Sequence, residues 1–274
     1  MINLPSIAIL GAGSMGGAIL GGLLAPGVTV DGGVRVTNRT REKASALDAD
    51  GVTSYSLAEN PDANRRAVDG ARIVLVGVKP AMVPDLLRAV SGDLAPDALV
   101  ISVAAGVTIA TMEALVSGAV ARAMPNTPAL VGLGVTGLAA GSRTSDRDVA
   151  LARALFETVG TVLEVPESKI DALSTISGSG PAYVFYLIEE LTRTAVDLGF
   201  SRADAAVMVN GTFRGATGLL FAGDVPPAEL RRRVTSPGGT TERAIAELAA
   251  ADLKSIFDRA CSAALARARE LAAG

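Results

Sequence analysis

Four apolar residues, Ile7–Leu10, run directly into Gly11-Ala12-Gly13-Ser14-Met15-Gly16, and an apolar helical stretch, residues 17–24, follows at once. Few folds use a strand that turns through three glycines into a helix. Gly11 permits the tight turn, Gly13 lets backbone approach a pyrophosphate, and Gly16 lets the helix pack on its strand. The helix start then offers unpaired N–H groups to phosphate oxygens. A glycine triplet alone is weak evidence in a chain with 30 glycines. The strand before it, the helix after it and a second strand at residues 34–37 make it the first half of a dinucleotide-binding unit.

The alternation continues, with strands expected at residues 73–78 and 99–103, and weaker ones at 134–139 and 161–165 flanking a helix over 146–159. This is an α/β pattern, a parallel sheet wrapped by helices, and it predicts a Rossmann domain over residues 1–163. Beyond Pro166 the strand signals stop. Val184, Ile188, Leu191, Ala195 and Leu198 recur at helical spacing, and Ser201 with Asp204 marks a further helix start running to about Phe221. Residues 164–274 are therefore expected to be all-α. Within them, residues 183–188 are apolar without a break. Either a partner subunit covers that face or the helix threads through its own bundle.

The strand at 34–37 ends in Thr37-Asn38-Arg39-Thr40, where an NAD-binding chain usually has a carboxylate for the ribose hydroxyls. Asn38, Arg39 and Thr40 offer neutral donors and a guanidinium suited to a 2′-phosphate, which favours NADPH while leaving NADH open. The plainer reading of Arg39 is a surface loop residue. Val78, Lys79 and Pro80 fall at the carboxyl edge of the sheet, where ligands bind in open α/β folds. Lys79 either approaches the cofactor or is a solvated strand-end lysine.

Composition narrows the chemistry. Twenty-five basic against 28 acidic residues leave a net charge of −3, which supplies neither a nucleic-acid surface nor a polybasic membrane patch. Mean hydropathy is +0.41, but the most apolar stretch, residues 98–116, is interrupted by Ser102, Gly106, Thr108, Thr111 and Glu113 and reads as core. With no histidine, Ser-His-Asp hydrolysis, His-ligated zinc and imidazole proton transfer are excluded. A single cysteine, Cys261, and an N-terminus without the pattern of an export signal point to a reducing cytoplasm.

Further motifs follow in order: Ile101-Ser102-Val103-Ala104-Ala105-Gly106, Arg122-Ala123-Met124-Pro125-Asn126-Thr127-Pro128, Ser177-Gly178-Ser179-Gly180-Pro181-Ala182-Tyr183, and Val234-Thr235-Ser236-Pro237-Gly238-Gly239-Thr240-Thr241. With the glycine loop and Val78-Lys79-Pro80 they resemble Δ1-pyrroline-5-carboxylate reductases over essentially the whole chain. The resemblance implies NAD(P)H-dependent reduction of 1-pyrroline-5-carboxylate to L-proline, the last step of proline biosynthesis. It implies a C-terminal domain that forms a homodimer, with larger rings of dimers in such families. It also implies that Thr241 holds the ring nitrogen, that Gly239 and Thr240 give backbone donors to the substrate carboxylate beside Ser236 and Gly238, and that Ser14, Met15, Asn64, Ala104 and Ala105 touch the cofactor.

Hydride transfer to a cyclic imine needs the nicotinamide against the imine carbon and a protonated or hydrogen-bonded nitrogen, but no protein nucleophile. A chain without histidine can do this. The bare turn 236–241 before a helical stretch at 242–248 suits a carboxylate, although Thr241 equally suits a helix cap. Ser177 lies in a small-residue break that leaves room for ligand, and Asn126 follows an apolar stretch near the expected nicotinamide; both also read as plain connections. Two other functions share the first domain. An NADP-dependent β-hydroxyacid dehydrogenase would need a proton-transfer lysine in the helical half, where only Lys169 and Lys254 lie. A non-catalytic NADP-binding sensor would need no second anion site such as 236–241.

Overall fold

The computed structural model describes residues 1–273, with side chains to residue 270. Strands β1 (Ile2–Leu4) and β3 (Val28–Val30) form a small parallel pair. The main sheet has eight strands: β2 (Ile7–Leu10), β4 (Val34–Asn38), β5 (Val52–Ser56), β6 (Ile73–Val76), β7 (Leu99–Ser102), β8 (Ala119–Met124), β9 (Gly134–Ala140) and β10 (Gly160–Glu164). Their order is β10-β9-β8-β7-β6-β2-β4-β5, and neighbours are parallel except β8 and β9.

Every residue of β2, β6 and β7 is buried, as a parallel sheet covered on both faces requires. Alternate side chains divide between two cores. Ile7, Ile9, Ile73, Leu75, Leu99 and Ile101 share one with α1 (Ser14–Leu23) and α6 (Asp146–Glu157). Ala8, Leu10, Val74, Val76 and Val100 share the other with α3 (Ala63–Val68), α4 (Val83–Val90), α5 (Ile109–Glu113) and α7 (Glu167–Leu173).

The strand pattern misses β5 and β8 of the main sheet and the short pair β1 and β3. In β8, Ala121 and Ala123 stand where larger apolar residues would announce a strand, and Arg122 interrupts them. Arg122 is nonetheless buried. Its Nη2 lies 2.6 Å from Asp171 and its Nη1 3.4 Å from Glu167, whose Oε1 also accepts the Ile109 N–H at 2.7 Å. These contacts, with the fully buried Ile170, fasten α7 to the sheet. By contacts the chain forms two compact units: Met1–Ser179, with the chain from Ala264 onward, and Gly180–Ala263.

The second unit contains α8 (Gly180–Asp197), α9 (Arg202–Phe221), α10 (Pro227–Arg233), α11 (Thr240–Ala250) and the first part of α12 (Leu253–Ala273). Ser201 caps α9, accepting the Asp204 N–H at 3.1 Å. Among the described residues, the buried apolar positions of this unit are Ala195, Ala205 and Val209. Phe185 and Tyr186 are 65% and 62% exposed, so the 183–188 face does not thread through its own bundle. Burying an aromatic or leucine side chain contributes about 1.5–3 kcal/mol, and this unit leaves that term unused along a whole helix face.

Helix α6 begins in a capping box. The Ser145 hydroxyl and N–H both reach Asp148 Oδ2, at 2.6 and 3.0 Å, and Arg72, entering β6, pairs with the same carboxylate. Burial would raise the Asp148 carboxyl, but Ser145 and Arg72 outweigh it and hold the group below the ordinary aspartate range. A depressed pKa stabilises the fold above the unfolded value and is lost as pH falls through the folded one. Asp148→Ala should therefore cost about 1–3 kcal/mol at pH 7. Denaturant titrations should show that cost shrinking below about pH 4; an equal cost at pH 7 and pH 3 would contradict the ionic role.

Candidate active site

Strand β2 lies between β4 and β6, and the chain leaves it toward one side before crossing to the other. Connections diverge from its carboxyl end and open a crevice there. Gly11, at φ +84°, begins the turn, and a Cβ on it would stand 2.6 Å from Val78 Cγ1. A Cβ on Gly77 would stand 2.7 Å from the Gly11 carbonyl oxygen, so the two strand ends interlock through bare backbone. The Gly11 N–H reaches Thr37 at the end of β4. A Cβ on Gly16 would meet Ile9 Cγ2 at 3.2 Å, which is how closely α1 lies on β2.

Gly13 differs. It is exposed, and a Cβ there would find no protein atom within 4 Å. It is also the N-cap of α1, with no side-chain cap and no acid in the first turn. The first N–H groups of α1, at Ser14, Met15 and Gly16, have no intrahelical acceptor and face this space. A dinucleotide pyrophosphate fits there on both shape and sign.

The other expected cofactor residues follow the carboxyl ends of neighbouring strands in the same unit. After β4, Asn38 is buried and its amide donates to Lys43 C=O at 3.3 Å, turning it into its own loop. Arg39 and Thr40 stand exposed, and the Thr40 hydroxyl caps α2 (Arg41–Ser45). After β6, Val78 packs on the glycine turn, Lys79 is exposed and Pro80 opens a 3-10 turn. After β7, Ala104 is buried with its N–H on Ser102 Oγ at 3.2 Å, and Ala105 is exposed. Asn64, in the first turn of α3, carries a buried Oδ1 with no hydrogen-bond partner. Asn126, after β8, spends its amide within the protein: Oδ1 accepts the Val135 N–H at 2.8 Å and Nδ2 donates to Ser177 C=O at 2.9 Å. The sequence carries no signal of that link, which spans 51 positions.

In the second unit, Gly239 is the N-cap of α11 and no side chain caps it. Its N–H turns back to Ser236 C=O at 3.0 Å, and Gly238, at φ +72°, makes the bend. Thr240 and Thr241 occupy the first two helical positions, so their N–H groups lack intrahelical acceptors. Thr241 is half-buried and is not the cap of α11, whose N-cap position falls to Gly239. Glu242 was missed by the sequence reading: its Oε2 takes the Gly238 N–H at 2.8 Å. The signal was its spacing of three from the N-cap, that of a capping-box acid. Among the described residues no acid, cysteine or histidine cluster could hold a metal, and no helix is long and apolar enough to cross a membrane.

Comparison with known proteins agrees with this division of labour. Residues 167–271 match the family described as pyrroline-5-carboxylate reductase dimerisation, and residues 6–106 the one described as NADP oxidoreductase, coenzyme F420-dependent. The chain is 38% identical over 273 residues to a pyrroline-5-carboxylate reductase of Corynebacterium melassecola, covering 98% of this chain and 99% of that one. A pyrroline-5-carboxylate reductase structure from Coxiella burnetii superposes with a TM-score of 0.88 at 34% identity, over 97% of each chain. A Plasmodium falciparum pyrroline carboxylate reductase with NADP bound gives 0.82 at 25% identity, over 97% of this chain and 98% of that one.

The open space at Gly13 separates folding from binding. Gly13→Val should leave the melting temperature nearly unchanged while calorimetry detects no dinucleotide, and retained affinity would place the pyrophosphate elsewhere. Arg39→Glu should weaken a 2′-phosphorylated dinucleotide more than its unphosphorylated counterpart; equal losses would show that Arg39 does not read the phosphate.

Proposed function

The chain belongs to the pyrroline-5-carboxylate reductase family, and from that premise we propose how its own residues carry the family's reaction. It is an NAD(P)H-dependent oxidoreductase that reduces 1-pyrroline-5-carboxylate to L-proline, the last step of proline biosynthesis. When bound, the reduced nicotinamide supplies the hydride. The α1 N-terminus and the turn Gly11–Gly16 hold the pyrophosphate, while Arg39 and Thr40, with Asn38 shaping their loop, hold the 2′-phosphate. Val78, Lys79, Pro80, Ala104, Ala105 and Asn64 complete the cofactor crevice.

For the substrate, the turn Ser236-Pro237-Gly238-Gly239 and the free N–H groups at Thr240 and Thr241 receive the carboxylate. A helix N-terminus favours such a charge by about 0.3–1 kcal/mol when exposed, and by up to roughly 2 when partly buried. The Thr241 hydroxyl holds the imine nitrogen, and Ser177 bounds the ring. The iminium proton comes from solvent, so the missing histidine costs the reaction nothing. The observation that carries this assignment is the Thr241 hydroxyl left unspent beside an uncapped helix start. A dehydrogenase using a lysine proton carrier is disfavoured, since Lys169 is exposed and Lys254 is paired with Asp258 at 2.6 Å.

The protein works as a homodimer through the open faces of its helical unit, and the same proposal extends to a ring of such dimers. It places the protein in the cytoplasm, in keeping with a single unpaired cysteine; recovery in an exported fraction would contradict that.

Purified protein given NADPH and 1-pyrroline-5-carboxylate should oxidise the cofactor and form proline in equal amounts. Thr241→Ala should lower kcat about a hundredfold with NADPH affinity kept; unchanged turnover would remove Thr241 from the mechanism. Sedimentation at micromolar concentration should show no monomer, and a stable active monomer would overturn the dimer.

A further inference from the structure

The break between the two compact units follows a π turn, Ser174–Gly178, closed by the Ser179 N–H donating to Ser174 C=O at 2.9 Å. Turns of this width are rare, costly and concentrated at functional sites. Something must hold this one. A Cβ on Gly178 would stand 2.9 Å from Ser174 Oγ, so a side chain there would displace the Ser174 hydroxyl. The Thr175 side chain is buried, with its hydroxyl on Ala172 C=O at 2.8 Å.

Asn126, just past β8, bonds the turn itself, and Arg122 of β8 bonds the helix that leads into it. Asn126, 7% exposed, ties Ser177 C=O to the start of β9 with both ends of its amide. Arg122, 4% exposed and four positions earlier, fixes the helix that leads into the turn through Asp171 and Glu167. Leu173, the last residue of that helix, lies against bare Gly137 of β9, where a Cβ would come within 2.8 Å.

We propose that Asn126 and Arg122 are positioning residues, which clamp the π turn to β8 and β9 and so set where Ser177 meets the substrate. This rests on Ser177 as a substrate contact. It also reassigns Asn126, whose amide serves the protein rather than the cofactor. The clamp makes the cofactor sheet and the substrate-contacting turn one rigid piece, so substrate geometry is set from the cofactor side.

Asn126→Asp keeps the acceptor for Val135 and replaces the donor to Ser177 with a charge that repels its carbonyl. It should raise hydrogen–deuterium exchange of the amides at 177–179 by about tenfold, and raise KM for 1-pyrroline-5-carboxylate similarly. NADPH affinity should stay within about twofold of the parent. Unchanged exchange, or an NADPH loss as large as the substrate loss, overturns the proposal. Should that variant fail to fold, Asp171→Ala should reproduce the exchange pattern and Asp171→Asn, which still accepts from Arg122, should restore it; two indistinguishable Asp171 variants would count against the clamp. The Ser177 hydroxyl also donates to Leu173 C=O at 3.1 Å, so Ser177→Ala should raise both KM and exchange. A parent protein that reduces no 1-pyrroline-5-carboxylate would sink the reaction, while the exchange pattern still decides the clamp.

Discussion

Two strand ends meeting through bare backbone are the constraint on which the rest of the first unit depends. Gly11 and Gly77 approach so closely that neither tolerates a side chain, and Val78 fills the remaining space. That contact sets the separation of β2 and β6, which sets the mouth of the crevice, which sets where the start of α1 points. The price is conformational freedom lost at glycine on folding. It is offset by two cores that bury β2, β6 and β7 on both faces.

Both units present the same feature, a helix N-terminus entered through glycine with no side-chain cap. At α1 the N-cap is Gly13, and at α11 it is Gly239. A serine or aspartate at either position would have capped the helix and taken up the N–H groups that now stand free. The difference lies in what stands nearby: α1 has no acid in its first turn, whereas α11 has Glu242, already bonded to Gly238.

Much of this was legible in the sequence because it is local. The glycine turn, the strands Ile7–Leu10 and 34–37, the helix over 146–159 and the Ser201 cap each depend on neighbouring residues, and each stands where pattern and propensity put it. β8 escaped because its core positions are alanines and its centre is an arginine whose charge is neutralised by residues 45 and 49 positions away. β5 escaped because Thr, Ser and Tyr make a poor apolar run at a sheet edge. The boundary at 163/164 follows strand content, whereas compactness follows the buried ion pairs that carry α7 with the sheet. At the site, residue types were readable but hydrogen-bond assignments were not. Asn126 looks the same whether it faces a ligand or a distant carbonyl.

The carboxyl groups whose acidity the fold visibly alters, Asp93, Glu113, Asp148, Glu229 and Asp252, are all moved downward, and the arginines so altered are moved up. With no histidine, no side chain of ordinary acidity changes charge across the middle of the neutral range. A chain built this way offers no imidazole as a proton carrier near neutrality, so whatever proton a bound imine takes up comes from some other group or from water.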